Sequence, residues 1–193
     1  YLPPLKDIPF QVQEKKAIQE VFRSIAFLVE SLQPTEQVLI MIDGPAGRAK
    51  RNQQRSRRYR SALSEEKRTF NSISPGTEFM DKLMAYIEQN IAKKITEDSK
   101  WRNLEVIFSS DKVPGEGEHK LIQYLRRNQK VDSQKRIMLV GKDADLIMLA
   151  LSIQNSLTGR FGPSMTILRE EEIIDIDGFR QELIKRLTWG LLA

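Results

Sequence analysis

The chain has 193 residues, 31 of them Lys or Arg and 26 Asp or Glu, for a formal net charge of +5; it has no cysteine and a single histidine, His119. That length suffices for one domain with its own hydrophobic core. Disulfides and thiolate metal sites are excluded, a lone histidine argues against a His-rich zinc site, and neither a membrane span nor a signal peptide is expected.

In chain order, Ile18, Val21, Phe22, Ile25, Leu28, Val29 and Leu32 recur at helical spacing, which predicts an amphipathic helix over 11–32, ended by Pro34 and Thr35. "VLIMI" (38–42) is a continuous apolar run of the kind found in a buried parallel strand. Gly44 and Pro45 turn the chain, a helix is expected over 47–63, and 64–76 reads as a loop. Phe79, Leu83, Tyr86, Ile87 and Ile91 mark a helix over 77–95. "LEVIFSS" (104–110), "RIMLVG" (136–141) and "MTILRE" (165–170) read as three more strands. "DKVPGEGEH" opens a helix running to about Arg127, "DADLIMLALS" starts another, and a last helix is expected over 174–190. Strands alternating with helices predict an α/β fold with a largely parallel sheet. The chain is read as one partial domain, 1–193; because it starts at Tyr1 and stops in an amphipathic stretch, a fragment of a longer protein is expected.

The basicity is local. Arg48 to Arg60 carry seven positive charges and no negative one, so against the total of +5 the remaining residues sum to −2. A local basic device suggests a polyanion. On a helix, Lys50, Gln54, Arg57 and Arg58 fall at i, i+4, i+7 and i+8, one face. A lysine, an amide and two guanidiniums on one stripe would suit a terminal phosphate. A solvated basic helix or a nuclear-localisation tract is the plain alternative. Arg48, Arg51, Arg55 and Arg60 point elsewhere and could track a backbone.

Carboxylates follow three of the strands: Asp43 after "VLIMI", Glu116 and Glu118 in "VPGEGEHK", Asp143 and Asp145 in "GKDADL". In an open parallel sheet the C-terminal strand ends share one edge, where ligands bind. Five carboxylates aimed at one place need cations, and hard divalent ions with oxygen ligands, Mg²⁺ or Mn²⁺, answer that need. Two such ions about 4 Å apart would clamp the attacking and leaving oxygens of a phosphodiester. Singly, each residue has an ordinary reading as a helix cap, a turn residue or a partner of the helix dipole. His119 is read as a helix-surface residue that could touch substrate.

"IDGPAGRAKRNQQRSRRYRSA", "PGTEFMDKL", "VPGEGEHKLIQYLR" and "GKDADLIMLAL" resemble, in order, motifs of the eukaryotic-type 5′→3′ exoribonuclease (XRN) family, in its N-terminal nuclease region. The resemblance implies a PIN-like α/β fold related to flap nucleases: a three-layer sandwich, its mainly parallel central sheet covered by helices on both faces. It implies processive hydrolysis of single-stranded RNA from a 5′-monophosphate to nucleoside 5′-monophosphates with two Mg²⁺ ions, for which Mn²⁺ can substitute. It makes Asp43, Glu116, Glu118, Asp143 and Asp145 the metal ligands and catalytic carboxylates, and Lys50, Gln54, Arg57 and Arg58 the 5′-phosphate site. The first metal-binding Asp of the family, with its base-stacking His, would lie upstream of Tyr1, and the last, in a Gly-Asn-Asp motif, would follow Ala193. Trp101 and Trp189 match no stacking position and are read as packing residues, and the loop at 64–76 is shorter than the family pattern. Two alternatives stay open: a flap-type structure-specific DNA endonuclease, and a catalytically inactive module that binds 5′-phosphorylated RNA. The expected compartment is the cytoplasm, or else the nucleus.

Overall fold

A computed structural model describes residues 10–47, 50–52, 55, 56, 59, 73–128, 135–153 and 164–192. It is a mixed α/β protein whose residues cluster into two compact units, Tyr1–Gly117 and Glu118–Ala193.

The first unit opens with α1 (Phe10–Leu32), followed by β1 (Gln37–Met41). The helix ends in a left-handed residue, Gln33 at φ 48, whose N–H donates to Val29 O at 3.0 Å; Pro34 then prevents continuation. After the basic segment come α2 (Glu78–Glu97), α3 (Ser99–Arg102) and β2 (Glu105–Ser109). β1 and β2 pair in parallel from Gln37↔Glu105 to Met41↔Ser109. Thr77 caps α2, its hydroxyl accepting from Met80 N–H and donating to Ser74 O.

The helical spacing that predicts α1 and α2 is the spacing that builds the core of this unit. Ile18, Phe22 and Val29 of α1 meet Met80, Leu83, Met84, Ile87 and Ile91 of α2, with Trp101 and Leu104 completing the cluster. Phe22 and Tyr86 stack edge to face, centroids 6.3 Å apart. Trp101 is fully buried, as a packing residue should be; the side chain of Trp189 lies outside the described residues.

In the second unit, α4 (Gly117–Arg127), which begins on the last residue of the first unit, leads to β3 (Arg136–Val140), α5 (Asp145–Leu151), β4 (Ser164–Arg169), β5 (Glu172–Asp175) and α6 (Ile176–Leu192). β3 pairs with β4 in parallel and β4 with β5 antiparallel. Leu139, Leu146, Met165, Ile167 and Ile176 are almost wholly buried here. Arg180 of α6 donates to Leu151 O at the end of α5 (2.6 Å), and Met165 N–H donates to Asp177.

Three elements differ from the expectation. Residues 172–175 form a strand, so the last helix begins at Ile176 and not at 174. The reversal into β5 uses a tight turn at Glu170, whose φ is +56, in a run of glutamates that carries no turn signature. Residues 99–102 form a single helical turn fixed by Asp98, which accepts from Lys100 N–H at 3.0 Å. The predicted loop 64–76 is described only from 73 onward, and the predicted helix 47–63 only in part.

Asp98 also ends α2 and pairs with Lys94 at 2.9 Å, while Lys94 reaches Glu30 of α1 at 3.1 Å. The Lys94 hydrogen bond, and after it the Lys100 N–H, hold the Asp98 carboxyl below the usual aspartate range. Lys94 is held above the usual lysine value by Asp98 first and Glu30 second. A depressed carboxylate contributes stability above its unfolded pKa and loses it as pH falls through its folded one. Asp98→Asn should therefore lower the melting temperature at pH 7, with the deficit shrinking towards zero in strong acid. Thermal melts of both proteins from pH 7 down to pH 2 check this; a pH-independent deficit would mean that the amide only disturbs the cap.

Candidate functional site

In the first unit, candidate site residues are gathered where β1 and β2 end. The ladder continues past Met41 through Ile42 N–H to Ser109 O at 2.9 Å. Beyond it, Gly44 N–H donates to Gly115 O at 2.8 Å and Gly115 N–H donates to Pro45 O at 3.2 Å. Gly44 has no room for a side chain, since a Cβ there would fall on the Val113 carbonyl. Gly115 has φ +108, a conformation that favours glycine. With the loops held this way, Gly117 N–H donates to Asp43 Oδ1 at 2.6 Å, and Lys50 Nζ reaches Glu116 Oε2 at 2.7 Å. Asp43, Glu116 and Lys50 therefore stand together, Glu116 half-buried and Asp43 exposed.

A buried aspartate braces the same loop. Asp111 is 2% exposed and accepts from Gly76 N–H at 3.3 Å. It ties the "VPGEGE" loop to the turn that precedes α2. Sequence reading assigned Asp111 no role, and an Asp in a turn carries no signal that would have singled it out.

Lys50 belongs to the basic segment, whose described residues are helical. Residues 50–52, 55, 56 and 59 are helical, with Arg51 N–H on Gly47 O at 3.0 Å and the Ser56 hydroxyl on Asn52 O at 3.1 Å. Arg51, Arg55 and Tyr59 are exposed. Gln54, Arg57 and Arg58, the other residues of the predicted stripe, lie outside the described residues, as do Arg48 and Arg60.

In the second unit, Asp143 Oδ1 accepts from Asp145 N–H at 3.2 Å, and Leu146 N–H donates to Asp143 O. Asp143 thus takes the first N–H of the helix that Asp145 opens. Their loop is fixed from β4, because Arg169 Nε donates to Lys142 O at 3.1 Å and Gly141 N–H donates to Leu168 O at 3.2 Å. Both aspartates are exposed, Glu118 is half-buried in the first turn of α4, and His119 is exposed.

Among the described residues no three His, Asp or Glu form a group that could hold a metal ion. The chemistry of the donors suits a hard divalent cation nonetheless. They are carboxylate oxygens, and on Glu116 an ammonium already takes the place of a cation. The N–H bonds to Asp43 and Asp143 each use one lone pair and leave the remainder free.

Paired strand ends that carry carboxylates beside helical basic residues belong to a protein of the mixed α/β class. Comparison with known proteins gives the particular family. Residues 5–171 match the family model "XRN 5′-3′ exonuclease N-terminus". The chain is 40% identical over 185 residues to 5′-3′ exoribonuclease 1 of Saccharomyces cerevisiae, covering 86% of the chain and 12% of that relative. It is 33% identical over 185 residues to the human 5′-3′ exoribonuclease 1, covering 86% of the chain and 10% of the relative. It is 36% identical over 196 residues to 5′-3′ exoribonuclease 2 of Gallus gallus, covering 86% and 20%. The chain belongs to the XRN 5′-3′ exonuclease family, by its N-terminal region, and spans between a tenth and a fifth of the length of these relatives.

The Gly117 packing is directly testable. A Cβ there would lie 2.5 Å from Met41 O and 3.2 Å from Asp43 Oδ1, whereas one at Gly47 would meet nothing within 4 Å. Gly117→Ala should cost about 1–3 kcal/mol of stability and Gly47→Ala should stay within about 0.5 kcal/mol of the parent. Urea denaturation of the two variants measures the contrast, and equal costs would mean that the loop yields without strain.

Proposed function

We propose that the chain is the nuclease module of a 5′→3′ exoribonuclease that degrades single-stranded, 5′-monophosphorylated RNA to nucleoside 5′-monophosphates. The observation that carries the reading is the meeting of Lys50 with Glu116, the neighbour of the Gly117 whose N–H holds Asp43: two carboxylates and a lysine are gathered at the ends of two parallel strands. The family supplies the rest, since the relatives named above are called exoribonucleases.

In this reading Asp43, Glu116, Glu118, Asp143 and Asp145 hold two Mg²⁺ ions. Bound there, Mg²⁺ supplies Lewis-acid stabilisation of charge at the attacked phosphodiester. The chain's own part is to orient those carboxylates: Asp43 through Gly117 N–H, and Asp143 through Asp145 N–H. Lys50, Gln54, Arg57 and Arg58 hold the terminal phosphate and so decide which end of the RNA enters. A pocket sized for a monophosphate excludes a cap or triphosphate and binds a 5′-hydroxyl poorly for want of charge. The same reading assigns the chain to one PIN-like domain, a sandwich around a mainly parallel sheet; the parallel pairs β1–β2 and β3–β4 support it. Its RNA would be met in the cytoplasm or nucleus. Among the described residues no helix is long and apolar enough to cross a membrane.

Two experiments on the complete protein test this. Asp143→Ala or Glu118→Ala should abolish cleavage of 5′-phosphorylated RNA, as should EDTA, while RNA binding by gel shift persists. Near-normal turnover by either variant would refute the metal assignment, and faster cutting of flap DNA than of RNA would favour a flap endonuclease. For the phosphate site, a charge-assisted hydrogen bond is worth about 1.5–3 kcal/mol, so Arg57→Ala should cost roughly tenfold or more on 5′-phosphorylated RNA. It should change the slow 5′-hydroxyl substrate little. Arg51→Ala, off the stripe, should weaken both substrates alike, as a backbone contact would. If Arg57→Ala lowers both rates by one factor, the basic helix only tracks the backbone.

A further inference from the structure

Lys50 and Glu116 are 66 positions apart, yet their charged ends meet at 2.7 Å. This pair joins a residue assigned to the phosphate with a residue assigned to the metal, and in doing so ties up one contact of each. The Lys50 side chain is 45% exposed and that of Glu116 24%. An ion pair this open to solvent shifts an equilibrium by only about twofold to fivefold, so it is an exchangeable contact and not a lock.

We propose that Lys50 is the counter-ion of Glu116 until a divalent cation takes the carboxylate, and that its release then delivers the ammonium to the 5′-phosphate. The proposal rests on the reading of Glu116 as a metal ligand and Lys50 as a phosphate ligand. Its physical basis is competition between cations. Oxygen ligands sit about 2.0–2.1 Å from Mg²⁺, and an ammonium held on the same carboxylate would then lie within a few ångströms of a dication. The like charges repel and the monovalent partner, on a flexible stem, is the one that leaves. A phosphate dianion nearby gives it a new partner. Cation binding and capture of the RNA end are thereby coupled through one side chain, and by linkage each tightens the other.

The test uses the complete protein and binding alone. Without RNA, Mn²⁺ affinity by electron paramagnetic resonance or calorimetry should fall at least tenfold in Glu116→Gln and rise about twofold to fivefold in Lys50→Met. With metal removed by EDTA, Glu116→Gln should bind a 5′-phosphorylated oligoribonucleotide about twofold to fivefold tighter than the parent, because Lys50 no longer pairs with the carboxylate of Glu116. That gain should be missing with a 5′-hydroxyl oligonucleotide and missing when Glu116→Gln is added to Lys50→Met. Asp43→Asn removes one negative charge without breaking the Lys50–Glu116 pair, so any gain it gives should be the same with or without Lys50. A Glu116→Gln gain that survives in the Lys50→Met background, or that is equal for both RNA ends, would reduce the effect to general repulsion and overturn the exchange. An unchanged Mn²⁺ affinity in Lys50→Met would overturn it as well. If Glu116→Gln leaves Mn²⁺ binding intact, it is the metal-ligand reading that falls.

Discussion

The placement of Asp43, Glu116 and Lys50 hangs on how closely the backbone after β1 meets the backbone after β2. Gly44 and Gly115 exchange hydrogen bonds with each other's loops, Gly44 N–H to Gly115 O and Gly115 N–H to Pro45 O. Such an approach excludes side chains, which is why a Cβ at Gly44 would collide with Val113 O and why Gly115 takes a positive φ. Once the loops are zipped, Gly117 N–H donates to Asp43 and Glu116 is carried to Lys50. The strand ladder sets the register, and the glycines turn that register into the placement of charge.

The electrostatics follow from this geometry. A carboxylate pair at two strand ends is costly without a counter-charge. The chain supplies one from its basic helix, and a net charge of +5 in total hides a segment of +7 beside acidic loops. Asp111 shows a second way to hold an acid in place. It is buried, takes a backbone N–H from Gly76 and ties the acidic loop to the start of α2, the helix that carries much of the core of the first unit. Support for the site therefore reaches back to Ile87 and Trp101 through covalent structure and capping, beside an exposed ion pair of Lys112 with Asp81 of α2 at 3.4 Å.

Much of this was legible in the sequence, for identifiable reasons. α1 and α2 bury one face each, so their apolar spacing is regular and their limits fall within two residues of the expected ones at every end. β1 and β2 are short apolar runs bounded by turn residues, and they pair as parallel strands should. β5 was hidden because "REEEIID" places a turn among glutamates, where Glu170 adopts a left-handed conformation that no glycine announces. α3 is too short to show a period and exists because Asp98 caps it. The carboxylates could be named from their positions after strands, but the Lys50–Glu116 contact could not. Nothing local links residues 66 apart, and the helical count that groups Lys50 with Gln54, Arg57 and Arg58 says only which side it shares with them.

The ordinary and functional readings of these aspartates are not rivals. Asp143 receives the first N–H of α5 and Asp43 the first N–H of α4, so each satisfies a backbone donor that a helix start leaves open. Each such bond fixes one carboxylate oxygen in direction and leaves the other lone pairs unused. A carboxylate that had to be ordered by the ligand itself would lose side-chain freedom on binding; one already held by a helix start has lost it during folding. The recurrence of acids just where parallel strands hand over to helices then has a physical reason. That junction offers free N–H groups to hold one oxygen and open space for the other, so the residue that stabilises the fold is the one best placed to take a cation.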